Sequence, residues 1–343
     1  MPWVRSTDGV RLHYRESGRR SGPPVLMIQG LGADKHLWNL QRLALAPWYR
    51  TIAFDNRGAG RSDKPYGAYT MEQMADDAAA VLDHAGVESA HVIGASMGGV
   101  ISQIMAIRHP ERVRSLVLAC TACHHHAWRK ELLADWADTA QSEGMGAMTA
   151  KAARWVIGPR SFRRLAPALG WMGPLGLSRP AHAFAGQVAG ILSIDDKLAA
   201  QLPGIEAPTL VIVGNQDILT PRGDSEEIAE HIPTAELVVI SGAAHGFMIE
   251  HATTFNRIML DFLGRAEHSV PPTYRSRHRP PPSADARRRG RCRPRRSHGG
   301  PPSVGRPRRH RPRQGQVSRW TARHPTDRCG EARPRSPVLH RAR

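Results

Sequence analysis

Residues 90–99 read Ala90-His91-Val92-Ile93-Gly94-Ala95-Ser96-Met97-Gly98-Gly99, followed by the segment Val100–His109 and then Pro110. An apolar run of strand length thus meets a G-x-S-x-G spacing and passes directly into a helical segment that proline closes. The glycines are required because the serine sits on a sharp turn, where side chains two residues away would collide with neighbouring backbone. Ser96 would project its hydroxyl at the head of a sheet. Met97 would open the helix, so its backbone N–H has no acceptor within the helix and lies in the positive field of the N-terminus. Such an N–H can stabilise an oxyanion.

Working outward, the same rhythm recurs on both sides. Residues 3–16 form two alternating runs around Asp8-Gly9, which predicts an opening hairpin. The run Val25–Ile28 ends at Gln29-Gly30-Leu31-Gly32, a buried strand feeding a tight loop. Next come Thr51–Phe54 ending at Asp55, and a helix with Met71, Met74, Ala78, Val81 and Leu82 on one face. After Ser96 the strands are Ser115–Cys120, Thr209–Val213 and Glu236–Ile240, with helices around Asp224–His231 and from Met248 to Leu263. Strands alternating with helices predict an α/β fold with a mostly parallel central sheet flanked by helices. Between Thr121 and Leu202 the strand rhythm stops and helical segments rich in Ala, Trp and Met take over. So long a stretch is a helical insertion rather than a loop.

A serine hydroxyl is a weak nucleophile until a base takes its proton and a third group orients that base. Both partners follow in order: Asp217 ends TLVIVGNQD, and His245 lies in SGAAHGF after the strand ELVVI. They stand at the ends of consecutive strands, on the edge of a parallel sheet where ligands bind. Asp224 is the alternative acid.

This order of Ser96, Asp217 and His245, with a glycine-rich loop after an early strand and a helical insertion after the strand that follows the nucleophile helix, resembles the α/β-hydrolase superfamily. The QGLGADKHLW, DNRGAGRSDKP and GASMGG stretches are similar to the branch of 3-oxoadipate enol-lactonases, bacterial carboxylesterases and haloperoxidase-like serine hydrolases. The resemblance covers residues 1–264. It implies a second oxyanion donor at Leu31 beside Met97, and a catalytic role for Ser96, Asp217 and His245. One departure is Gln29, where that branch usually carries histidine. The expected activity is hydrolysis of a carboxylic ester or lactone through a Ser96 acyl-enzyme, with no cofactor and no metal. Carbon–carbon bond hydrolysis and perhydrolysis use the same three residues and are the alternatives within the fold.

The domain organisation follows from these elements and from charge. Residues 1–120 and 203–264 are the two parts of a hydrolase core, and 121–202 a helical cap. Residues 1–264 carry 25 Lys and Arg against 26 Asp and Glu, whereas 265–343 carry 23 basic residues, all Arg, and 4 acidic ones. An Arg/Pro-rich tail of that composition cannot bury enough apolar surface to order itself, which predicts disorder. Its charge would bind polyanions nonspecifically and salt-dependently, and it lacks the aromatic interleaving of a dedicated nucleic-acid module. A nucleic-acid-binding protein with an inert hydrolase-like body is the reading from another class.

The remaining candidates are weaker. Gly58-Ala59-Gly60 lacks the third spaced glycine and the lysine of a phosphate loop. The run Cys120-Thr121-Ala122-Cys123-His124-His125-His126 offers soft ligands without a second pair at zinc spacing, and reads as structural thiols followed by histidines where the cap begins. His124 and Trp128 are the candidates for substrate contact. Trp136, Trp155, Trp171, Met145, Met148 and Met172 read as cap core. A lid rich in Trp and Met suits a small apolar or cyclic ester-like substrate. No secretory signal and no membrane span are visible, and two of the 4 cysteines lie in the tail, all of which favours a reducing cytoplasm.

Overall fold

The computed structural model describes residues 2–159, 161, 180–194, 197–269 and 318–320. Trp171, Met172 and nearly all of the tail lie outside the described residues. The strands are β1 (Trp3–Arg5), β2 (Arg11–Gly18), β3 (Pro24–Ile28), β4 (Arg50–Phe54), β5 (Ala90–Ala95), β6 (Val113–Ala119), β7 (Thr209–Gly214) and β8 (Ala235–Ile240). They line up in the order β1-β2-β4-β3-β5-β6-β7-β8. The hairpin β1–β2 is antiparallel and joins β4 antiparallel; β4 through β8 are parallel throughout. The expected α/β-hydrolase fold is what the chain adopts.

The sheet direction reverses at β3. From β3 the chain moves outward to β4, and it returns to β5 on the opposite side. The loops leaving β3 and β5 therefore diverge and open a crevice at their carboxyl ends, where ligands bind in sheets of this kind. Gln29–Gly32 and Ser96 flank that crevice.

Helices cover both faces. Helices α2 (Met71–His84) and α3 (Met97–Arg108) pack on one face, while α1 (Asn39–Leu45) and the final helix pack on the other. α2 starts at a capping box, with Thr70 accepting from the Gln73 N–H and the Gln73 side chain accepting from the Thr70 N–H. Its buried face carries Met71, Met74, Ala78, Val81 and Leu82, the residues whose spacing predicts it. Between β6 and β7 stand α4 (Ala127–Ser142), α5 (Met145–Val156), α6 (Ala181–Leu192) and α7 (Lys197–Gln201). α4 packs against α5 and α6, with Trp136 and Met148 buried in their interface region. Helix α8 (Arg222–His231) follows β7; α9 (Phe247–Glu250) and α10 (Ala252–Ser269) close the core.

One feature differs from the sequence reading. α10 runs to Ser269 rather than stopping at 264, because Ala266 is buried and the Glu267 carboxylate reaches His91 Nε2 at 2.9 Å. The tail therefore starts later. Within the Arg-rich segment, Ser318–Trp320 form a short strand β9, antiparallel to the edge strand β8. An edge strand offers unpaired backbone groups for that pairing. Among the described residues no helix is long and apolar enough to cross a membrane.

Candidate active site

Ser96 has φ 54° and ψ −120°, a conformation that a non-glycine residue adopts only under constraint. The constraint comes from both sides. The Ser96 N–H donates to Ala119 O at 2.9 Å, and its carbonyl accepts from the Gly99 N–H and the Thr121 hydroxyl, each at 2.8 Å. The glycines around it are dictated by space. A Cβ at Gly94 would lie 2.2 Å from Gly98 O, and one at Gly98 would lie 2.2 Å from Ile28 O. Close packing of strand, turn and helix is therefore what the G-x-S-x-G spacing encodes.

Leu31 follows Gly30, whose Cα faces Ser96 so closely that an added Cβ would sit 3.7 Å from Ser96 Oγ. Among the described residues, neither the Leu31 N–H nor the Met97 N–H has an acceptor. Their neighbours do. Gly32 N–H donates to Gln187 Oε1 at 2.8 Å, and Gly30 N–H donates to Gln29 Oε1 at 3.1 Å. Gln29 thus braces the loop with its own side chain, while its carbonyl accepts from Asn56 Nδ2 at 2.9 Å.

Asp217 and His245 meet directly. Nδ1 of His245 lies 2.8 Å from Asp217 Oδ2, with the aspartate side chain fully buried and the histidine nearly so. The loop after β7 wraps the same carboxylate: Leu219 and Thr220 N–H groups both donate to Oδ1 at 2.9 Å, and the Thr220 hydroxyl donates to Oδ2 at 2.9 Å. A carboxylate that accepts this many hydrogen bonds is held in one orientation. Asp224, the alternative acid, faces elsewhere: it pairs with the buried Arg129 guanidinium.

Arg129 is a residue the sequence reading missed. Its Nε donates to Leu219 O at 2.8 Å and its Nη1 to His124 O at 3.2 Å, so it ties the start of the insertion to the loop that holds Asp217. Gln187, from α6, was missed as well; besides Gly32 it also holds Arg57 O at 2.8 Å. Nothing in the sequence signals Gln187, since the two groups it joins lie far away along the chain. Thr220 was missed too; its place three residues after Asp217 is a turn spacing that could have signalled it.

The two substrate-contact candidates have separate environments. Trp128, 39% exposed, stacks on Trp155 with ring centroids 6.1 Å apart and lies against the Arg129 guanidinium. The His124 ring is engaged by Glu227 at 2.9 Å and by His126 at 3.4 Å, and its polar contacts among the described residues include none of Ser96, Asp217 or His245. Both described cysteines, Cys120 and Cys123, are free and buried. Burial raises the Cys120 thiol well above its ordinary range, with the nearby Asp217 charge adding to it, so this sulfur stays protonated and inert.

The chain is similar to known proteins over most of its length. Residues 23–252 match the family described as the alpha/beta hydrolase fold. RutD of Azorhizobium caulinodans, provisionally named a carbamate hydrolase, is 28% identical over 292 residues, spanning 78% of this chain and all of its own length. The 3-oxoadipate enol-lactonase 2 of Acinetobacter baylyi is 31% identical over 261 residues, covering 73% of this chain and 92% of that protein. Among solved structures, the enol-lactonase of Burkholderia xenovorans LB400 superposes with a TM-score of 0.72 at 29% identity, covering 77% of this chain and 100% of that one.

Proposed function

The chain belongs to the α/β hydrolase fold family, and from that premise we propose that it cleaves a carboxylic ester or lactone through an acyl-enzyme on Ser96. The observation that carries this reading is the pairing of His245 with a fully buried, multiply bonded Asp217 on the same sheet edge as a serine held at positive φ. Likeness to enol-lactonases supports the substrate class.

In this mechanism Ser96 Oγ attacks the carbonyl carbon while His245 Nε2 takes its proton. Asp217 holds the Nδ1–H tautomer and stabilises the imidazolium that forms. The N–H groups of Leu31 and Met97 donate to the tetrahedral oxyanion, an effect on the order of 3 kcal/mol per donor. Collapse breaks the bond to the alkoxide, which leaves with the proton from His245; in a lactone it stays attached to the acyl group. Water, deprotonated by His245, then releases the acid and restores Ser96. Trp128, stacked and partly exposed, is the residue assigned to an apolar wall.

The test is hydrolysis of short-chain nitrophenyl esters and small lactones by the full chain and by Ser96→Ala. Turnover that falls roughly a thousandfold or more in the variant is the expected result. Equal turnover by both proteins would overturn the Ser96 assignment. A chain active only on carbamates or on diketone-like carbon–carbon bonds would keep the nucleophile and change the substrate class.

A further inference from the structure

We propose that Cys123, His124 and Glu227 form a binding site for a thiophilic divalent metal ion of the Zn2+ type, which pins the start of the helical insertion to α8. Each residue offers one ligand atom, and these atoms all lie within 4.8 Å of one another. His124 Nδ1 and Glu227 Oε2 are 2.9 Å apart. Around a tetrahedral zinc ion, bonds of about 2.0–2.3 Å put neighbouring ligand atoms roughly 3.3–3.8 Å apart. The 2.9 Å pair and the 4.8 Å upper bound bracket that spacing.

The second argument is what stands behind the histidine. His124 Nε2, the nitrogen turned away from Glu227, faces His126 Nδ1 at 3.4 Å, and His126 Nε2 faces the Asp224 carboxylate at 3.7 Å. A histidine that ligates through one nitrogen normally donates its other N–H to an acceptor, which fixes the tautomer and ring orientation. That acceptor is in place here. The mixed sulfur, nitrogen and oxygen set excludes Mg2+ and Ca2+, which take oxygen ligands, and suits Zn2+.

Cys123 is buried, whereas the His124 and Glu227 side chains keep 22% and 29% of their exposure, so an ion enters from solvent and one position stays open to water. Coordination forms a bond from the Cys123 sulfur to the ion as the thiol proton passes to bulk water, and no electron is transferred. Thiolate and carboxylate together then balance the charge of the ion. Since Glu227 sits on α8 and the other two ligands precede α4, the ion would cross-link the two segments that Arg129 also bridges. The site is independent of Ser96.

The experiment uses the full chain carrying Cys292→Ser and Cys329→Ser, so that Cys120 and Cys123 are the thiols left. It is titrated with Co2+, a spectroscopic substitute for Zn2+. Expected is a thiolate-to-cobalt charge-transfer band with a stoichiometry of one, bleached by added Zn2+. Cys123→Ser should abolish the band, Cys120→Ser should leave it intact, and Glu227→Gln should weaken binding about tenfold or more. Glu227→Gln changes a partly exposed residue and remains informative should Cys123→Ser fail to fold. Absence of the band in the parent, its survival in Cys123→Ser, or unchanged affinity in Glu227→Gln each overturns the proposal.

Discussion

The Asp217 carboxylate and the His245 imidazole lie 2.8 Å apart, and Asp217 reaches that histidine while held by two backbone N–H groups and the Thr220 hydroxyl. The aspartate is fixed from behind before it orients anything in front. Asp217→Asn keeps the shape but offers an amide to Nδ1 and disfavours the working tautomer. The expected loss in kcat is on the order of ten-thousandfold. Thr220→Val removes one donor of several, so its expected loss is about tenfold or less. Ester hydrolysis by both variants, compared at saturating substrate, checks the ordering.

A second relationship joins the insertion to the loop after β3. Gln187 accepts from the Gly32 N–H and donates to Arg57 O, both at 2.8 Å, with its side chain fully buried. Gln187→Leu strands both groups at a cost of about 1–3 kcal/mol each. Because Leu31 is the preceding residue, the change should also disorder the proposed oxyanion donor and lower kcat more than it raises KM. An unchanged kcat in a destabilised variant would show that Gln187 serves the fold alone.

The sheet, the serine turn and the pairing of Asp217 with His245 were legible in the sequence because each rests on local signals. Apolar runs of strand length, glycines at fixed offsets and polar residues at strand ends are all adjacent in the chain. Arg129 and Gln187 were not legible. Arg129 looks like an ordinary helix-face cation until the fold buries it against Leu219 O, and Gln187 meets Gly32 only after the insertion folds back over the core. The end of α10 was misplaced for a related reason: the His91 that holds Glu267 lies on a distant strand. Pairings set by tertiary approach leave no periodicity to read.

Glycine substitutions separate space from conformation. Gly98→Ala puts a Cβ 2.2 Å from Ile28 O, and since both partners are backbone, the strand or the helix must shift. Loss of folded protein, or destabilisation of about 3 kcal/mol or more together with loss of hydrolysis, is expected. Gly86 has φ 64° with nothing within 4 Å of its Cβ position, so Gly86→Ala should cost only about 1 kcal/mol. Urea unfolding of the two variants, with turnover measured alongside, distinguishes the two effects.

Acid sensitivity should arise in part at His13. Its imidazole is fully buried and neither ring nitrogen has a hydrogen-bond partner among the described residues. Burial, with the Lys35 and Arg61 charges adding to it, pushes its pKa down from 6.5 to about 4. Between those values the unfolded chain binds a proton that the folded chain does not, so stability falls as pH drops through this window. The slope is on the order of 1 kcal/mol per pH unit. His13→Gln cannot take up that proton, and its stability should fall less steeply between pH 6.5 and 4.5 in urea titrations. A parallel pair of curves would remove His13 from the account.

Arg129 and Asp224 form a buried ion pair between α4 and α8, and its energetics are separable by a double-mutant cycle. Burial alone pushes the Asp224 carboxyl upward, opposed by the Arg129 charge and hydrogen bond. Arg129→Met leaves that carboxylate without its guanidinium and also frees Leu219 O, so a cost of about 3–5 kcal/mol is expected. Asp224→Leu leaves the guanidinium with its Leu219 and His124 carbonyl acceptors, which lowers the cost of its lone charge. The double variant removes both charges and should be more stable than Arg129→Met, with a coupling of about 2 kcal/mol or more. Turnover gives the second readout. Every variant lacking Arg129 loses the tie to the Asp217 loop, so the double variant should regain stability without regaining kcat. Recovery of both together would mean that Arg129 acts on Asp217 only through the integrity of the fold.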